Sequence, residues 1–117
     1  MTPDELEARA RAFGLRVIRL VDALPNSVAG RAMGNQLIRS GTSVAANYRA
    51  ARRARSSREF SSKLGVVVEE ADESEFWLGM IVDSELLAQQ RVEPLRREAQ
   101  ELMRIFASSR RTASRRS

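Results

Sequence analysis

Apolar residues recur along this chain at steps of three and four, in four stretches separated by short polar breaks. Leu6, Ala10, Phe13, Val17, Leu20 and Leu24 form the first stripe and predict a helix over about residues 3–24. Thr2-Pro3-Asp4-Glu5 marks its start: Thr2 can cap, Pro3 suits the first helical position, and Glu5 closes a capping box. Pro25-Asn26-Ser27 interrupts the pattern, and Asn26 or Ser27 can cap a second helix over about 27–55. Its inner stripe is Met33, Leu37, Ser40, Val44, Tyr48 and Ala51. Ser56 and Glu59 have capping-box spacing and open a third helix over about 57–88, with Phe60, Leu64, Val67, Ala71, Ser74, Leu78 and Ile81 inward. A fourth follows over about 93–107, with Pro94 near its start and Val92, Leu95, Ala99, Leu102, Ile105 and Phe106 inward. Short connections make sequential helices antiparallel neighbours, so the pattern predicts an all-α, up-down-up-down four-helix bundle in a single domain, residues 1–107. Residues 108–117 are polar and arginine-rich, and the expectation is a basic, disordered tail.

Two stretches depart from plain bundle sequence. Gly41-Thr42-Ser43 is poor helix sequence, with a cost of about 1 kcal/mol at the glycine; small residues there let a second helix approach closely. In the third segment Val68, Phe76, Trp77 and Met80 widen the apolar stripe beyond one seam. A helix that is apolar on more than one side must bury more than one side, which points to a neighbouring subunit.

Composition narrows the function classes. The chain holds 117 residues with no Cys and no His. Disulfides, Cys/His zinc sites and histidine-based acid–base or nucleophilic devices are therefore excluded, and an enzyme is not expected. Glu70 and Glu73 share a helix face within an acidic run, but carboxylate metal sites in bundles usually add a Glu-x-x-His pair. No metal and no cofactor are expected. The charged N-terminal stretch does not read as a signal peptide and no apolar run approaches a membrane span, so the expected location is cytoplasmic, without membrane association.

The net charge is +5, and Lys63 is the only lysine among 20 basic residues. An arginine bias follows from gene base composition, yet guanidinium also suits phosphate. The charge is partitioned: the first segment is neutral, the second carries +6, the third −6, and the chain from Arg91 onward +5. Basic second and acidic third helices can pair within or between subunits. Arg49, Arg52, Arg53 and Arg55, with Arg110, Arg111, Arg115 and Arg116 of the tail, exceed what pairing requires and are candidates for contacts to nucleic-acid phosphate.

The run Arg39-Ser40-Gly41-Thr42-Ser43-Val44-Ala45-Ala46-Asn47-Tyr48 resembles the signature of the four-helix-bundle protein family, also named the 23S rRNA intervening-sequence protein family. Leu24-Pro25, Gln36-Leu37, Ser56 with Glu59-Phe60 and Lys63-Leu64, Glu70-Ala71-Asp72-Glu73-Ser74 and Trp77-Leu78 extend the likeness over roughly residues 13–106. The resemblance implies a small antiparallel bundle that assembles as a ring-like homopentamer. Some members are encoded within insertions in 23S rRNA genes, and a relative is the accessory protein of diversity-generating retroelement reverse transcriptases. It implies RNA or DNA as a partner, or alternatively a protein partner such as a reverse transcriptase. Asn47, Glu70 and Glu73 match the family pattern, and together with Tyr48, Phe76 and Trp77 they are expected at helix–helix or subunit interfaces. Ala50 departs from it, standing where the family usually has glutamate.

Overall fold

Three of the four helices start where a side-chain oxygen can take up a free backbone N–H, as the capping signals require. In the computed structural model, which describes residues 1–116, Thr2 Oγ1 accepts from the Glu5 amide at 3.1 Å and opens α1, Pro3–Asp22. Ser27 Oγ accepts from the Gly30 amide at 3.0 Å and opens α2, Val28–Ala51, while Asn26 accepts instead from the Arg31 side chain. Ser56 Oγ accepts from the Glu59 amide at 3.1 Å and opens α3, Ser57–Asp83. The Glu59 carboxylate closes the motif one residue early, on the Arg55 amide. The fourth helix, α4, covers Gln89–Arg116.

The helices pack as α1 on α2, α2 on α3 and α3 on α4, and the α1–α4 contact that closes the bundle is the slightest. The result is a rod of 46 × 21 × 20 Å. Phe13, Val17, Leu37, Val44, Leu64, Val67, Leu78, Ile81, Val92, Leu102 and Phe106 are fully buried along its axis. Ser40 and Ser74 are buried among them; their hydroxyls lie 3.1 Å apart, and backbone carbonyls of Leu37 and Glu70 complete their bonding. A buried polar pair satisfied in this way costs little and ties α2 to α3 in one register.

Gly41 performs the role expected of a small residue. A Cβ there would stand 2.7 Å from Val17 Cγ2, so only hydrogen lets α1 and α2 meet at this distance.

The helix ends differ from the sequence pattern. The second helix stops at Ala51 rather than near Arg55. The third stops at Asp83 rather than near Ala88. There the Glu85 amide bonds to the Val82 carbonyl and the Leu86 amide to the Ile81 carbonyl, with Glu85 at φ 59°. This is a Schellman closure with glutamate where glycine is usual. Leu86 and Leu87 continue the apolar pattern but pack on the core from the connection. α4 begins a turn earlier than expected, carrying fully buried Val92, so Pro94 sits inside the helix near its start.

The largest difference lies at the other end of α4. The basic tail expected to be disordered from Ser108 is helical through Arg116; Ser117 lies outside the described residues. Ala113 is buried, Ser61 Oγ and Ser114 Oγ lie 2.7 Å apart, and Arg110 Nε donates to the Ser61 carbonyl at 3.3 Å. An antiparallel α3 of 27 residues supplies a track that long, and α4 follows it. Among the described residues no helix is long and apolar enough to cross a membrane.

Candidate nucleic-acid interface

The arginines divide into those that hold helices together and those that do not. Each seam of the bundle carries a bridging guanidinium. Arg9 of α1 grips Glu98 of α4 through two bonds of 2.8 and 2.7 Å and reaches Glu101 at 3.1 Å. Arg52, the residue that ends α2, reaches Asp4 at 2.8 Å and Glu7 at 2.9 Å on α1. Arg39 of α2 pairs with Glu70 at 3.0 Å and with Glu73 on α3. Arg96 of α4 pairs with Glu75 of α3 at 2.8 Å. Hydrogen bonds to Glu98 and to Glu73 push Arg9 and Arg39, respectively, above the ordinary arginine range, so both stay charged. Surface pairs of this kind add little to stability and chiefly fix register.

Within the chain, and among the described residues, the expected pairing of a basic second helix with an acidic third is carried by Arg39. Glu75 turns to α4 instead, and Glu59 faces Lys63 one turn along its own helix.

With these arginines assigned, an excess remains at one end of the rod. Up-down topology places the C-termini of α2 and α4 beside the N-termini of α1 and α3. Arg116 accordingly shares a hollow with Met1, Pro3, Ser57 and Phe60. Arg49, Arg53, Arg55, Arg111, Arg115 and Arg116 stand exposed at this pole and form no ion pair among the described residues. Arg58, in the first turn of α3, joins them. Sequence reasoning missed Arg58 because it sits in the segment of net charge −6, whose acids lie mostly farther along the helix. Two of the eight candidate phosphate-binding arginines are otherwise engaged. Arg52 neutralises Asp4 and Glu7, and Arg110 lies across Gly65, where a Cβ would stand 3.0 Å from its guanidinium carbon.

The candidate interface residues also separate. Tyr48 is a core residue, its ring tilted against Phe106 with centroids 5.0 Å apart, and burial pushes its hydroxyl above the usual tyrosine range. The Asn47 amide donates to the Ser43 carbonyl of its own helix. Glu70 and Glu73 form the Arg39 bridge, and the Trp77 indole donates to Glu73 at 3.2 Å. Phe76, 53% exposed, meets Trp77 edge-on at 4.9 Å. With Val66 and Met80, also exposed, it leaves apolar surface on the outside of α3. Ala50 is exposed on α2.

Three helices opened by side-chain caps, an arginine bridge on every seam and a pole of arginines that form no ion pair among the described residues define a small basic helical-bundle protein. The sequence pattern of the 23S rRNA-intervening sequence protein family matches residues 5–108, and the chain belongs to that family. Among solved structures it is similar to a protein of unknown function from the S23 ribosomal protein family of Bacteroides thetaiotaomicron VPI-5482. The TM-score is 0.82 at 30% identity, over 88% of this chain and 95% of the other. No curated protein matches the chain. The family match ends at residue 108, so Arg110, Arg111, Arg115 and Arg116 lie beyond it.

Proposed function

We propose that this protein is a non-enzymatic, cytoplasmic, homo-oligomeric nucleic-acid-binding protein that takes the phosphates of structured RNA on its arginine pole. The observation that carries this reading is the gathering of Arg49, Arg53, Arg55 and Arg58 with Arg111, Arg115 and Arg116 at one end of the rod, from segments some sixty residues apart, their guanidinium groups forming no ion pair among the described residues. Such an array neutralises phosphate with little base readout. The exposed Phe76 lies on α3 beside Trp77, away from that pole, so base stacking is no part of the reading. Filter binding of the full chain to a structured RNA, between 50 and 200 mM salt, tests it. A triple change Arg53→Gln, Arg111→Gln, Arg115→Gln should lower the salt slope by about 2–3, near 0.9 per lost phosphate contact. Absence of binding at 50 mM salt, or an unaltered slope in the variant, overturns the proposal.

Assembly belongs to the same reading, as a ring of five, the form that the family resemblance implies. The exposed Val66, Phe76 and Met80 support a subunit contact on α3. The alternative is an oligomeric adaptor that docks a protein such as a reverse transcriptase. Light scattering at micromolar concentration tests assembly, with an oligomer mass that Phe76→Glu reduces and a monomer mass refuting it; a pull-down tests the alternative, which protein partners retained after nuclease treatment would favour.

A further inference from the structure

A second group of arginines lies at the opposite end of the rod. Along the α1–α4 seam, Arg9 meets Glu98 and Glu101, opposite charges across the groove. Two turns further the pattern reverses. Arg16 and Arg19 of α1 face Arg91 of α4, and the three line one crevice of about 250 Å³ with Leu20 and Leu95. No acid lines it, and none of the three arginines forms an ion pair among the described residues. Arg91 stands in the first turn of α4, where the helix dipole adds further positive potential. All three are exposed, so solvent weakens their mutual repulsion, and an anion seated between them turns it into attraction. The floor is different in kind: Leu95 is buried and Leu20 half-buried, so part of the crevice is apolar.

We infer that this crevice is a phosphate-binding site for a nucleotide, its phosphates held by Arg16, Arg19 and Arg91 and its sugar or base resting on Leu20 and Leu95. The guanidinium forks fit phosphate oxygens, and the apolar floor favours an organic phosphate over a bare ion. The shared chemistry is a phosphorylated nucleoside, either free in solution or one unit within a nucleic-acid strand. The site is separate from the arginine pole, so it does not rest on the proposed RNA contact.

Calorimetric titration of the full chain at 50 mM salt with adenosine diphosphate, and with adenosine as control, tests the site. Binding of the diphosphate alone is expected. The triple change Arg16→Gln, Arg19→Gln, Arg91→Gln should weaken it by roughly tenfold or more. The pole variant Arg53→Gln, Arg111→Gln, Arg115→Gln should leave it intact. Loss of RNA binding in the pole variant with retained diphosphate binding separates failure of one reading from failure of the other. Because the triple change relieves repulsion, its thermal midpoint should equal or exceed that of the parent, and Arg91→Gln alone should already weaken the diphosphate. If the crevice variant also lowers the salt slope for a single-stranded oligonucleotide, the nucleotide is part of a strand; if that slope is unchanged while diphosphate binding is lost, the ligand is free. No diphosphate binding by the parent, or equal binding by the crevice variant, overturns the inference.

Discussion

Gly41→Ala and Gly14→Ala should shift stability in opposite directions, although both replace a buried glycine with a better helix former at the same α1–α2 crossing. Helix propensity alone favours alanine by about 1 kcal/mol at each position. At Gly14 the new methyl would meet the Gly41 carbonyl and Thr42 at 3.7–3.9 Å, ordinary contact, so the gain of about 0.5–1 kcal/mol is retained. At Gly41 it would lie 2.7, 2.8 and 3.1 Å from Val17 Cγ2, Cγ1 and Cβ. Val17 is fully buried and β-branched, with one favoured rotamer in a helix, so it cannot swing aside. The helices must part, at an overpacking cost of about 1–3 kcal/mol. The net expectation is a loss of about 1 kcal/mol for Gly41→Ala. Urea unfolding followed by circular dichroism at fixed protein concentration measures both changes, the concentration being fixed because association would otherwise alter the midpoint. Adding Val17→Ala to Gly41→Ala should recover stability beyond additivity, since the methyl then fills the space left by valine. Stabilisation by Gly41→Ala equal to that by Gly14→Ala would refute the close-approach argument.

Two further changes follow from local geometry. Glu85→Gly should raise stability by about 0.5–1 kcal/mol, because Glu85 holds φ 59° in the closure of α3 and its side chain is exposed; Glu85→Ala should not. A urea midpoint that falls in the glycine variant would contradict this. Tyr48 has a folded pKa raised by burial above its ordinary value, so it favours folding below about pH 10 and that contribution disappears as pH rises through the folded value. Tyr48→Phe should therefore flatten the alkaline limb of stability measured between pH 9 and 11. An unchanged limb would show that another group drives it.

The inner stripes were legible because every helix buries one face, and the caps because Thr2, Ser27 and Ser56 act within three residues of themselves. The end of α3 was not. Leu86 and Leu87 prolong the apolar rhythm, and no glycine announces the left-handed residue at Glu85. The terminal part of α4 was hidden for a related reason: after Phe106 its buried face consists of Ala113, too small to register as a stripe, and its anchors are hydrogen bonds to Ser61. At the candidate site, clustering of Arg49, Arg53 and Arg55 could be read directly, and their meeting with Arg111, Arg115 and Arg116 required the topology. Which arginines are spent on bridges could not be read at all, since Arg52 finds its acids 45 and 48 residues away.

The helical state of residues 108–116 changes how any polyanion would be met. A disordered basic segment has long reach, captures from a distance, and loses conformational freedom only when it lands. Here that loss has already occurred during folding, against Ser61 and the α3 track. The charges are few in reach but fixed in spacing: Arg111 and Arg115 stand one turn apart, about 6 Å along the axis. A partner must therefore present its phosphates to a rigid template. Selectivity would then fall on the shape of the polyanion, and tolerance for floppy single strands would be correspondingly low.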